Sequence, residues 1–278
     1  MKLKDSYDDF NDGSNSDTDK YYGGTGNTYE SAEDTGYTYT SPGVDGYDAQ
    51  TFRVSSNAAV SLREQSVLVK SLFFMAVALV ISAIAAFAGL AYGRVNPYGY
   101  FNMMMPALVL EIVVYLIALF GLNKGNAVVG GIGFVAYSIV SGLTMSIIFF
   151  AYDLGSIVAI FFITAIMFVA VAIYGYTTST NLSALQSFFL MGLVGLVGVG
   201  IMNIFMQSDA VANVAAVVGV VLFAGITAYD IQRIKGLNVQ YGDSDENTVA
   251  MFGGLMLYLD FVNIFLKLLR LFARSSRN

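Results

Sequence analysis

Seven apolar stretches, each near the roughly 20 residues needed to cross a hydrocarbon layer, follow one another from residue 68 to the end of the chain. They lie at about residues 68–92, 104–122, 128–150, 156–176, 184–206, 210–237 and 249–272. Short polar breaks separate them: Arg94-Val95-Asn96-Pro97, Asn123-Lys124-Gly125-Asn126, Asp153, Thr177 to Asn181, and Gln207-Ser208-Asp209. In lipid every backbone polar group must be satisfied within the segment, so such stretches are helices. Connections this short force neighbours to run antiparallel. The reading is therefore an all-α, polytopic membrane protein with seven transmembrane helices, six spans plus a re-entrant last segment being the alternative.

Composition agrees. Charged residues make up 12% of the chain and hydrophobic ones 56%, with a mean hydropathy of +0.64, where a soluble domain carries about 25% charged residues. The charge is also uneven. Residues 1–50 hold eleven acids against Lys2, Lys4 and Lys20, a net of −8, while the whole chain is −6, leaving +2 for the rest. The domain reading is a tail over residues 1–55, acidic and rich in Gly, Ser and Tyr, followed by a membrane domain over 56–278. Such a tail buries too little apolar area to offset chain entropy and is expected to be disordered. Its beginning has no apolar signal-peptide core, so the first membrane helix is expected to act as an uncleaved insertion signal. With the tail in the cytoplasm, basic residues divide six inside to five outside, a slight positive-inside bias.

The chain has no Cys and no His. Disulfides, thiolate sites, His-ligated metals and histidine-based catalysis or pH switching are thereby excluded, and no cofactor is expected. Proton chemistry has to use carboxylates, Lys or Tyr. Gly125 to Gly133 lack the Gly-Lys-Ser/Thr of a phosphate loop. Gly142 and the strip Gly192, Gly195, Gly198 and Gly200 are read as packing residues.

Three acids fall well inside apolar spans: Glu111, Asp230 and Asp260. A carboxylate at mid-bilayer costs roughly 2.5–3.5 kcal/mol on insertion scales unless paired, hydrated or protonated, so each is a functional candidate. The acidic turn Tyr241 to Asn247 joins the last two spans. Taking Asp245 as its centre, Asp230 lies 15 residues before and Asp260 15 after. In an antiparallel hairpin the two carboxylates then reach equal depth. Two close acids in a low-dielectric setting do not both ionise readily and are expected to share a proton. Gly253, Asp260, Asn263 and Lys267 form a polar stripe at helical spacing. Arg233 stands one turn from Asp230, and Tyr229 and Tyr258 are expected to cap the site. Glu111 is expected to face the same interior, and Lys124 and Arg94 to be interfacial.

Four stretches carry a family resemblance: Ser141-Gly142-Leu143-Thr144-Met145-Ser146; Tyr174-Gly175-Tyr176-Thr177-Thr178; the run from Phe223 to Lys235, containing Thr227-Ala228-Tyr229-Asp230-Ile231-Gln232-Arg233; and Leu257-Tyr258-Leu259-Asp260-Phe261-Val262-Asn263-Ile264-Phe265-Leu266. In order and spacing they resemble the Bax inhibitor-1 family, in its bacterial YccA-like branch, over about residues 60–272. The resemblance implies six helices around a central seventh, a bacterial inner-membrane location, and a pH-sensitive calcium leak gated by paired aspartates, here Asp230 and Asp260. Those two are also the possible transient calcium ligands, and Glu111 matches a helix-two acid near the pore. The chain departs from the family at Asn181, where an Asp is usual, and in having no helix-two Arg. Lys124 and Arg233 are the basic residues that could take that Arg's place.

Other readings share these carboxylates. A proton-coupled cation antiporter would use the same pair. A non-transporting regulator that binds membrane proteases or death regulators is also compatible with the family. An intramembrane aspartyl protease needs Gly-x-Gly before its second Asp, where this chain has Leu257-Tyr258-Leu259, and a Pro-Ala-Leu for which no proline is present. The reading is therefore of a protein that is not an enzyme. A retinal protein built on Lys267 would lack any Trp for its pocket.

Overall fold

The polar breaks between apolar stretches turn out to be helix caps. Asn96 ends one helix and accepts the amide of Gly99 at 2.9 Å, with Pro97 at the first helical position, where its missing N–H costs nothing. Asn126 accepts the Val129 amide at 3.0 Å, and Asp153 the Ser156 amide at 2.9 Å. Each satisfies a donor that the first helical turn leaves unpaired. Gly125, at φ 72°, supplies the left-handed residue that closes the helix before Asn126, a conformation open to glycine at little cost.

The computed structural model describes residues 36–39, 52–240 and 246–273. The membrane helices are α1 (Ser56–Val95), α2 (Pro97–Asn123), α3 (Ala127–Met145), α4 (Leu154–Thr177), α5 (Gln186–Met206), α6 (Asp209–Gln240) and α7 (Glu246–Phe272). A helical turn at Ile148–Ala151 continues α3, and a 3-10 turn at Leu182–Leu185 leads into α5. All seven are long and apolar enough to cross a membrane. The last is an unbroken helix of 27 residues, about 40 Å long, so no re-entrant break occurs in it. The helices start earlier than the apolar stretches at α1 and α2, because capping and propensity, not hydropathy, decide where a helix begins.

Separately, Gly36–Tyr39 and Phe52–Ser55 pair as antiparallel strands, Gly36 opposite Ser55. The rest of the tail reading, at residues 1–35 and 40–51, lies outside the described residues. So does the acidic turn from Tyr241 to Asp245.

The most enclosed span is α7, with 67% of its apolar window buried. Its Gly253 and Gly254 let α1 approach at Ser71 and Phe74, and Phe261 stacks on Phe161 and Phe168 of α4. It also packs against α2, α3 and α6. Glycines serve the same purpose between α2 and α3, where a Cβ on Gly133 would sit 2.8 Å from the Ala118 backbone. Gly142 likewise meets Ser82 and Ala85 of α1. The strip on α5 behaves differently. Gly192 touches Leu222 of α6, but nothing lies within 4 Å of a Cβ on Gly195, Gly198 or Gly200. Close packing within the chain accounts for the first glycine of that strip and not for the other three.

Candidate functional site

Asp230 on α6 and Asp260 on α7 are both buried, at 8% and 3% exposure. The hairpin's register follows from three cross-contacts. Ile234 lies against Gly253, Thr227 lies beside the Asp260 carboxyl, and Gly219 lies against the methylenes of Lys267. The residue directly across from Asp260 is therefore Thr227. Asp230 stands three residues nearer the turn, about 4.5 Å of rise. The expected equal depth is thus displaced by about one turn. The helices end and begin at Gln240 and Glu246, so the hairpin's midpoint falls earlier in the sequence than Asp245. Side-chain direction partly closes the gap. Cα–Cβ bonds tilt toward each helix's N-terminus, so Asp230 leans away from the turn and Asp260 leans toward it. The two carboxylates lie within each other's electrostatic reach, and Asp260 Oδ2 is buried with no hydrogen-bond partner among the described residues.

The other residues singled out divide among several places. Arg233 acts electrostatically on Asp230 while its guanidinium lies 6.0 Å from the Phe252 ring centroid. It is the basic group that the fold brings to the pair. Lys124 is exposed at the end of α2 and lines a groove with Phe120 and Val129. Asn263 donates its amide to the Leu259 carbonyl at 2.8 Å. Lys267 lays its stem on Gly219. Neither tyrosine expected to cap the pair does so. Tyr229 turns its ring to Phe189 of α5, 6.1 Å away. Tyr258, two residues before Asp260, projects from the opposite side of α7, where its hydroxyl meets Ser82 Oγ at 2.7 Å.

That second side of α7 is polar in its own right. Tyr258 meets Tyr137 edge-on at 5.7 Å, and Tyr137 lies tilted against Tyr115 at 5.6 Å. Glu111 faces this group: the Thr144 hydroxyl donates to its Oε2 at 2.8 Å. Tyr137, Ser138, Ser141 and Thr144 follow helical spacing on α3 and could have been read as a polar stripe. Tyr115 is within electrostatic reach of both Tyr137 and Asp230, so it stands between the two sides.

Sequence reading also passed over a clasp at the end of α6. Gln232 accepts the Leu182 amide at 2.8 Å and donates to the Thr180 carbonyl at 2.9 Å. Lys235 donates to the Tyr176 carbonyl at 3.2 Å, its ammonium 4.5 Å from that ring. Both residues stand in the quoted motif, but only the fold shows that they hold the α4–α5 connection. At α7's start, Glu246 pairs with Lys70 at 3.2 Å and accepts from Ser66. A cavity of about 310 Å³ between α1, α3, α4 and α7 is walled by Phe87, Met145, Phe161, Phe261 and Phe265, with Ser82 at its edge, and holds none of the charged groups. Among the described residues no three acids converge as a metal site would require.

Comparison with known proteins places these features in a lineage. Residues 64–277 match the family model described as "Inhibitor of apoptosis-promoting Bax1". The chain is 37% identical over 226 residues to an uncharacterised protein of Borreliella burgdorferi, covering 77% of this chain and 97% of that protein. It is 39% identical over 166 residues to the inner membrane protein YbhL of Escherichia coli, covering 59% and 70%. An uncharacterised protein of Deinococcus radiodurans is 33% identical over 227 residues, 78% of this chain and 97% of its own. With seven membrane-length helices and relatives of this kind, the chain is a multi-pass bacterial membrane protein of the Bax inhibitor-1 family.

Proposed function

We propose that the protein is a pH-sensitive cation leak, passing calcium, whose gate is the Asp230–Asp260 pair. One observation carries the reading: two buried carboxylates on adjacent antiparallel helices, leaning toward each other with Arg233 alongside. A proton held between two such groups joins α6 to α7. Its loss leaves two negative charges facing each other. At an effective dielectric constant near 20, unit charges about 4 Å apart repel by about 4 kcal/mol. That energy moves a two-state helix pair by nearly three decades. The freed oxygens are hard ligands of the kind calcium takes. Calcium is the cargo here, and no covalent chemistry is involved.

The test is flux into liposomes holding the purified protein and a calcium-sensitive dye, recorded across a range of pH. We expect flux to vary with pH in the unaltered protein, and Asp230→Asn or Asp260→Asn to flatten that dependence. Absence of flux, or a pH profile unmoved by both substitutions, overturns the reading. Uphill calcium movement under an imposed pH gradient would identify an antiporter in its place.

A further inference from the structure

The apolar cavity of about 310 Å³ has a floor, two walls and a mouth. Its floor is α7, through Phe261, Val262 and Phe265, the stretch that follows Asp260. One wall is Ala83 and Phe87 of α1, the other Val158 and Phe162 of α4. The four wall residues are exposed, whereas Phe261 and Phe265 are buried, so the cavity opens outward between α1 and α4. All of these residues lie within membrane spans, and what stands at the mouth is lipid. Ser82, at the edge, has its hydroxyl turned to Ala78, Ser138 and Tyr258. A slot lined by carbon stays dry, and left unfilled it forfeits the dispersion contacts of its lining.

The level of the cavity in the membrane decides which part of a lipid meets it. Helix α1 ends on the side where α3 gives way to α4, since Gly89 lies against Ser146 and Gly93 against Phe150. At that end Tyr92, Arg94 and Tyr98 are exposed, the mixture of aromatic rings and cation found at headgroup level. Arg94 stands seven residues past Phe87 and eleven past Ala83. These are two and three helical turns, so the three residues share one face of α1, with about 10 and 16 Å of rise between them. One leaflet of hydrocarbon is about 15 Å deep. Helical side chains lean toward the N-terminus of their helix, which tilts Arg94 toward the cavity. Among the described residues no carboxylate pairs with Arg94. Asp153, the acid at this end, accepts the Ser156 amide at 2.9 Å as the cap of α4.

We propose that the gap between α1 and α4 is a phospholipid site, with one acyl chain filling the cavity and the phosphate resting on Arg94. The two halves of the site match the two halves of an amphiphile. A guanidinium offers a phosphate paired N–H donors, and the slot beneath it offers only carbon. Lipid around α5 has no such partner, because that helix carries no charged residue. The bound chain lies against α7 just past Asp260. The site stands apart from the leak reading, and its test uses no measurement of flux.

Full-length protein in detergent is given 1-palmitoyl-2-oleoyl-phosphatidylglycerol, and retained lipid is counted by native mass spectrometry. We expect about one lipid held per chain. Ala83→Phe, which places a ring in the mouth, should abolish retention, and Arg94→Gln should weaken it by about tenfold, the loss of one charge-assisted contact. Val158→Phe closes the mouth from α4, so the result does not depend on one variant folding. In liposomes, phosphatidylglycerol with a diazirine in one acyl chain should label residues 83–87 and 158–162 more heavily than α5, and Ala83→Phe should reduce only the former. Equal retention by all the proteins, or even labelling of α1, α4 and α5, overturns the site and leaves surrounding lipid only. Retention lost in Ala83→Phe and unchanged in Arg94→Gln overturns the phosphate contact.

Discussion

Helices α5 and α7 have similar length and similar apolarity, with window hydropathies of 2.2 and 1.8, yet none of the α5 window is buried and 67% of the α7 window is. The more polar helix is the more enclosed one. In water the order would be reversed, because apolar surface is driven inward. In a bilayer the surrounding medium is itself apolar, and exposure costs α5 nothing. A helix carrying Tyr258, Asp260 and Asn263 has to place them among protein partners. Of these two helices, the enclosed one is the one that carries the charge.

Glycine substitutions probe this contrast most strongly. A Cβ on Gly254 would lie 2.8 Å from Phe74 Cβ and 3.1 Å from the Ser71 carbonyl. Gly254→Ala should destabilise the protein by about 1–3 kcal/mol, the usual cost of overpacking. Gly198→Ala, with open space around it, should be neutral or stabilising by up to about 1 kcal/mol through helix propensity. Thermal melting of both variants in detergent checks the pair, and equal losses would remove the distinction between the two helices. A smaller effect is expected at the clasp. Gln232→Ala strips two hydrogen bonds from the connection leading into α5. It should cost about 1 kcal/mol and show as faster hydrogen exchange at the Leu182 amide. Exchange unchanged there would mean that α5 is fastened some other way. Smallest is Glu246→Gln at the start of α7. The Lys70–Glu246 pair is partly exposed, so its loss should cost less than about 1 kcal/mol and still less in high salt.

Much of the site was legible before any fold was known. Asp230, Asp260 and Glu111 stand out because a carboxylate in an apolar run is expensive wherever its helix sits. The short hairpin connection then brings the first two together. The faces were less legible. Tyr229 and Tyr258 adjoin the aspartates in sequence, and adjacency suggested that they cap the pair. One residue on a helix turns the side chain by about 100° and two by about 200°, which sends Tyr229 to α5 and Tyr258 to α1 and α3. The α5 glycines misled for a related reason: small residues permit close approach but do not show that a neighbour is there.

Sequence alone marked the seven apolar stretches, the polar breaks between them and the three acids inside the membrane, because hydrocarbon thickness and the cost of burying charge act on each segment by itself. Tertiary structure decided the rest: which helix is enclosed, the one-turn offset between Asp230 and Asp260, the hydroxyl group behind Tyr258 and the Gln232 clasp. A helix that is apolar all round has no side marked for its neighbours. Its rotation and register are set by how glycines, aromatic rings and a few hydroxyls fit against the other helices, and that fit exists only once the bundle is assembled.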